Sequence, residues 1–225
     1  MATIFFTGFP GFLGSELLPR VLERSPEDRA VCLVQGKFAD LARQRADELA
    51  ADQPSLAGRI DLVEGDITLP DLGIAERADL ERDTREIYHL AAVYDTTVPR
   101  PLAMRVNVEG TRYVLDFAER CSGLERFQYV STCYVSGRYA GIFGEGDLDR
   151  GQSFNNFYEE TKFLAEVEVS KRMAAGLPAT IYRPAIVVGD SRTGATQKFD
   201  GPYFVISWIL RQPLVAVMPV VGDAT

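Results

Sequence analysis

The chain has 225 residues, 46% hydrophobic, 10% aromatic and 25% charged, the composition of a globular protein rather than a disordered or fibrous one. Its 24 Lys and Arg against 32 Asp and Glu leave a formal charge of −8, which repels phosphate backbones and argues against nucleic-acid binding. Cys32, Cys121 and Cys133 are odd in number, widely spaced and free of any C-x-x-C, so a reducing, cytoplasmic setting is expected, and the single His89 excludes the usual multi-histidine zinc sites.

Taken in chain order, strand patterns alternate with helix patterns. A strand over Thr3–Thr7 opens into a glycine-rich turn and a helix from about Phe12 to Ser25, with Pro19 inside it. A second strand, Ala30–Val34, precedes an amphipathic helix over Phe38–Ala51. A third, Ile60–Glu64, leads to a short helix near Ile74–Arg82. Glu86–Leu90 is followed by a long helix over Pro101–Cys121, and Arg126–Ser131 by a loop and a helix over Asn156–Ala175. The sixth strand is expected over Ala179–Val188. This alternation predicts an α/β fold, a doubly wound parallel sheet with helices on both faces and ligands beyond the carboxyl ends of the strands. The apolar stretch Tyr203–Val221 is broken by Arg211, Gln212 and Pro213 into runs too short to span a membrane, and MATIFFTG has neither the charged region nor the cleavage site of a signal peptide.

Thr7-Gly8-Phe9-Pro10-Gly11-Phe12-Leu13-Gly14 joins the first strand to the first helix with the spacing G-x-x-G-x-x-G. Gly8 permits a tight turn, Gly11 a close approach of backbone to a pyrophosphate, and Gly14 close packing of helix on sheet, with the positive helix end facing the phosphates. A dinucleotide site is predicted. After the second strand, Gln35, Gly36 and Lys37 stand where an NAD site usually carries an acidic residue, with Arg43 further on. The missing carboxylate and nearby cations favour NADP(H) over NAD(H). Asp66 either accepts from the adenine amino group or caps a turn. His89 is read as a strand-end or core residue, and Ala91 and Ala92 after it leave room for a cofactor.

In Tyr158-Glu159-Glu160-Thr161-Lys162 the phenol and the ammonium are four residues apart, on one helix face. The lysine is expected to favour phenolate and bring Tyr158 down toward a useful pKa, so that it can hand a proton to a carbonyl oxygen. A hydroxyl from Ser131 or Thr132 would bond the substrate oxygen.

The motifs TGFPGFLG, GDI at Gly65–Ile67, HLAA at His89–Ala92, NVEGT at Asn107–Thr111, STCYVSG, YEETK and RPAIVVGDSRTG together resemble the extended short-chain dehydrogenase/reductase family, with a Rossmann-type sheet. Within it, Ser131–Val135, Asn155–Glu159 and Arg183–Ser191 resemble the male-sterility-like subgroup of fatty acyl-CoA reductases and thioester reductase domains. The resemblance implies Thr132, Tyr158 and Lys162 as catalytic residues. It implies a cofactor site of Thr7–Gly14, Gln35, Lys37, Asp66, Ile67, Leu90, Ala91, Ala92, Asn107, Pro184 and Ile186, together with Tyr158 and Lys162. The subgroup ends its second strand with Arg; Gln35 stands there here.

The expectation is a cofactor domain over residues 1–190 and the start of a small substrate region over 191–225, where Phe199–Arg211 forms either the wall of an acyl channel or a core helix. The substrate implied is an acyl thioester on CoA or a carrier protein, reduced by NADPH to an aldehyde or alcohol. Competing readings are an epimerase, dehydratase or dehydrogenase acting on a nucleotide sugar or hydroxysteroid-like alcohol, and a dinucleotide-binding sensor or inactive fragment. The chain ends earlier than extended members do, so either it is a fragment, with Leu214–Val221 uncovered, or its substrate site is small and open. Pairing of the 101–121 and 156–175 helices across a two-fold axis would make a homodimer.

Overall fold

β1 (Thr3–Thr7) is buried at all five positions, because its side chains alternate between two covered faces of a sheet. Phe5 points to one face, where it packs with Phe117 at 4.6 Å between ring centroids, and Ile4 and Phe6 point to the other. In this computed structural model residues 2–95, 97–196, 199 and 201–212 are described. They form two compact units, residues 1–185 and 186–225.

In the first unit β1 is joined by β2 (Arg29–Val34), β3 (Ile60–Glu64), β4 (Thr84–His89), β5 (Arg126–Val130) and β6 (Ala179–Tyr182). All pairings are parallel and the order is β3-β2-β1-β4-β5-β6. The strand order reverses between β1 and β4, so a crevice opens beyond their carboxyl ends, the standard place for a ligand in such a sheet. α1 (Phe12–Arg24) and α2 (Ala39–Asp52) cover one face through Leu18, Val21, Leu22 and Ala42. On the other face lie α5 (Gly110–Arg120) and α6 (Phe157–Ala174), whose Val114, Leu115, Phe117, Ala165 and Val169 meet Phe5, Ile87, Phe127 and Tyr129. Two short helices complete this unit, α3 (Ala78–Asp83) and α4 (Arg100–Ala103).

Three elements differ from the pattern-based expectation. The short helix expected over 74–82 is confined to α3, after a 3₁₀ turn at Pro70–Gly73. The long helix after β4 is interrupted: α4 passes through a π-helical stretch, Met104–Glu109, into α5. β6 stops at Tyr182, six residues early, because Pro184 has no N–H for the ladder and Arg183 turns its side chain inward to an ion pair.

The second unit contributes α7 (Pro202–Leu210), whose Phe204, Val205, Ile206 and Leu210 are exposed. In the same unit, the Tyr203 hydroxyl accepts from Gly189 N at 2.7 Å. The apolar run Leu214–Val221 lies outside the described residues. No helix among the described residues is long and apolar enough to cross a membrane.

Candidate active site

The glycine turn is shaped by crowding. Gly8 has φ +92°, and a Cβ there would lie 2.9 Å from Ala91 N and from Leu90 backbone and side-chain carbon. Gly11 N donates to Gly8 O at 2.9 Å, closing the turn. A Cβ on Gly14 would stand 2.6 Å from that same Gly8 oxygen, so Gly14 fits the helix against the turn itself, not against the sheet. α1 is preceded by Gly11 at its N-cap, which gives no side-chain cap and leaves the first N–H groups of the helix for an anion, and the bare approach at Gly8 and Gly11 suits a pyrophosphate. Around it, Phe9 is buried in the core, Pro10 O accepts from Ser15 Oγ, and Leu13 is partly exposed beside Phe12. Opposite the turn, the Thr7 hydroxyl accepts from Leu90 N and Ala91 N, both at 3.2 Å, which fixes the start of the Leu90-Ala91-Ala92 loop.

At the ends of β2 and β3, Gln35 Nε2 donates to Asp66 Oδ2 at 2.7 Å, and Asp66 Oδ1 accepts from Thr68 N at 2.8 Å. Asp66 thus caps its own turn, with one oxygen shared with Gln35. The two flank a cavity of about 410 Å³ lined also by Gly36, Glu64, Gly65 and Leu69. Lys37 is exposed, its Nζ 4.9 Å above the Phe38 ring, and Arg43 is ion-paired with Asp40 at 2.5 Å. Ile67 is buried beneath Gly110 rather than lining this cavity.

Beyond β5 the two adjacent hydroxyls part company. Ser131 donates to the buried Glu166, whose other oxygen accepts from Arg183 Nε at 2.9 Å and Nη2 at 2.5 Å. Thr132 accepts from Tyr134 N at 3.3 Å, and its hydroxyl acts to lower the pKa of the nearby Tyr158 phenol. Cys133, next to it, is an exposed free thiol whose N–H bonds Pro184 O at 3.0 Å.

The start of α6 is set by a reciprocal cap: Asn156 Oδ1 accepts from Glu159 N at 2.9 Å, while the Glu159 carboxylate accepts from Asn155 N at 2.9 Å and Asn156 Nδ2 at 3.2 Å. That cap fixes the helical phase of Tyr158 and Lys162. Burial raises the Tyr158 phenol above its usual value, opposed by the nearby Thr132 hydroxyl, so the expected shift toward phenolate is not the one found. Lys162 is buried and donates to Tyr129 Oη at 3.0 Å and Val130 O at 2.8 Å. Burial lowers it to about 7, with the Glu166 charge opposing.

His89 is fully engaged. Thr111 donates to Asn107 O at 2.6 Å and so accepts from His89 Nε2 at 3.0 Å; His89 Nδ1 then accepts from Thr7 at 2.8 Å. Burial lowers this imidazole to about 3, and neither nitrogen is left for Cys133 or a substrate. Asn107 is likewise turned inward: its side-chain amide spans Val93 N and O at 2.8 and 2.9 Å and reaches Thr161 at 3.0 Å, tying the loop after β4 to α6. Of the remaining residues read from sequence, Pro184 lies at the end of the first unit, and Ile186, exposed, belongs to the second. Sequence reasoning passed over Tyr129, Glu166 and Arg183. It also passed over the N-x-x-E cap at Asn156, which was readable.

The chain matches the family model described as male sterility protein over residues 6–222. It superposes on the terminal R domain of the myxalamid PKS-NRPS pathway with a TM-score of 0.81 and 34% identity, over 94% of this chain and 55% of that one. A thiolation-reductase di-domain from an archaeal non-ribosomal peptide synthetase gives 0.75 and 26%, over 92% and 58%. The alcohol-forming fatty acyl-CoA reductase of Simmondsia chinensis is 32% identical over 196 residues, 77% of this chain and 40% of that protein. The chain thus spans between about two fifths and three fifths of these three relatives. With the matched model covering nearly all of it, and with the parallel sheet and glycine turn in place, the chain belongs to the male sterility family of NAD(P)-binding reductase domains, within the extended short-chain dehydrogenase/reductases.

Proposed function

We propose that this chain is the cofactor-binding and catalytic part of a reductase that converts an acyl thioester, on CoA or on a carrier protein, to an aldehyde or alcohol. The observation that carries the reading is that the Tyr158 phenol, one helical turn from Lys162, lies beside Thr132 beyond β5, on the same sheet edge as the glycine turn. When bound, the reduced nicotinamide supplies a hydride to the thioester carbonyl carbon. Thr132 and Tyr158 hold the carbonyl oxygen as charge develops on it, and Tyr158 gives that oxygen its proton. Lys162, in its protonated form, carries the positive charge that balances the phenol as its proton leaves. Collapse of the adduct then releases the thiol and leaves the aldehyde.

NADPH is the cofactor supported by Lys37, an exposed ammonium just past β2, and by Gln35 in place of a carboxylate that would repel a 2′-phosphate. Glu64, on the next strand, works against that preference. The expected result is NADPH consumption that requires an acyl-CoA or acyl-pantetheine, releases free thiol in proportion, and is at least severalfold faster than with NADH. Cofactor loss without thiol release, with a nucleotide sugar or a secondary alcohol as the active partner, would overturn the reading.

A further inference from the structure

A buried, hydrogen-bonded polar cluster lies behind the reacting hydroxyls, and the proposed chemistry leaves most of it unused. It comprises Tyr129 on β5, His89 on β4, Thr111 on α5, and Lys162 and Glu166 on α6, all buried. Lysine has a compact charge on a long flexible stem, so a buried lysine that must stand at one place needs something to hold it there. Here Lys162 Nζ gives one N–H to the Tyr129 hydroxyl and one to the Val130 carbonyl, and sits 4.5 Å from the centre of the Tyr129 ring. The Tyr129 ring lies 5.6 Å from the His89 ring, centre to centre, and Thr7 and Thr111 hold His89 in turn.

We propose that Tyr129 is the positioning residue of this site: its hydroxyl and ring face together seat the Lys162 ammonium at the end of β5, one turn below Tyr158. The proposal deepens the reductase reading and rests on it for its kinetic consequence only.

The choice of tyrosine has a physical reason. A carboxylate at this place would hold the ammonium equally well but would cancel its charge. The Tyr129 phenol is pushed up by burial and by Glu166, so it stays neutral and cancels none of the charge on protonated Lys162. The other groups facing Lys162 fit this arrangement. Glu166 is already committed to Ser131 and Arg183, and His89 is neutral. An acceptor for the charged form stabilises it, so loss of the Tyr129 hydroxyl alone makes Lys162 easier to deprotonate.

The chain has four lysines, which makes the side-chain ammonium signals separable by 15N NMR, with Lys162→Met to assign the one of interest. In the full chain, the Lys162 signal should be protected and should show contacts to the Tyr129 ring; their absence would overturn the proposal without any variant. Tyr129→Phe keeps the ring and should move the Lys162 titration down by about one unit, a tenfold loss of proton affinity. It should lower kcat roughly tenfold and carry the alkaline limb of the pH profile down with it, leaving KM and cofactor Kd within about threefold. Tyr129→Gln, which restores an acceptor, should recover part of the shift. An unmoved Lys162 titration in Tyr129→Phe overturns the proposal. A moved titration in a protein that reduces no thioester supports the seating and overturns the reductase reading instead.

Discussion

Tyr158→Phe should lower kcat for thioester reduction by about three orders of magnitude, within the roughly 10²–10⁴-fold range that a positioned proton donor contributes. The change removes one oxygen and keeps the ring, so α6 and its Asn156–Glu159 cap should be undisturbed and NADPH should bind within about threefold of the parent affinity. Isothermal titration beside single-turnover kinetics checks both halves. The direction of the phenol's pKa matters here. Burial raises it, so Tyr158 keeps its proton through neutral pH and is a donor by default. In the chain's own electrostatics it is an acid rather than a resting phenolate. A variant that lost cofactor binding together with turnover would place Tyr158 in the cofactor pocket's structure and leave the proton donor to be found elsewhere.

Glu166→Ala should be the most destabilising single change in the first unit. The Glu166 side chain is 1% exposed and Arg183 18%, so removing the carboxylate leaves a guanidinium with little water to turn to. Breaking a buried ion pair from one side costs about 3–5 kcal/mol. In a chain of this size that lowers Tm by roughly 6–20 °C. The loss should also reach the loop over 144–147, because Arg183 donates to Gly144 O and Asp147 O at 3.1 and 2.6 Å. A Glu166→Met, Arg183→Met double variant should recover most of the stability, since neither charge is then stranded. Thermal melts of the three variants decide it, and a double variant no better than Glu166→Ala would show that hydrogen bonding to Ser131 and the loop, not the charge pair, carries the stability.

How far the sequence could be read follows from how local each feature is. The alternation of strands and helices and the turn at Thr7–Gly14 are written in consecutive residues, and they were legible together with Tyr158 and Lys162 four residues apart. The Asn156–Glu159 cap was equally local. Glu166 was different: its meaning depends on Arg183, 17 residues on, and on Ser131, 35 residues back. Tyr129 reads as an ordinary strand aromatic until α6 lays Lys162 against it, 33 residues later. The early end of β6 was half legible, since Pro184 was visible but the inward turn of Arg183 was not. Ser131 is spent on Glu166, a fact no spacing contains. The same long-range economy turned Lys162 away from its simple role: it was read as a neighbour of Tyr158, and the fold occupies it with Tyr129 and Val130 as well.

The chain of hydrogen bonds through His89 also links folding to acid. An unfolded imidazole takes a proton near 6.5, whereas this one resists until about 3, because a proton has neither water nor an acceptor to meet it. Its contribution to stability is therefore whole above about pH 6.5 and is withdrawn as the pH falls toward 3, at about 1.4 kcal/mol for each unit. By pH 5 roughly 2 kcal/mol should be gone through one residue. A His89→Gln variant, compared with the parent in urea melts at pH 7 and pH 5, should lose less stability between the two. β1, β4 and α5 meet at a side chain that only neutral surroundings keep silent, so this edge of the sheet is held together by a group that makes the molecule a poor citizen of acidic compartments.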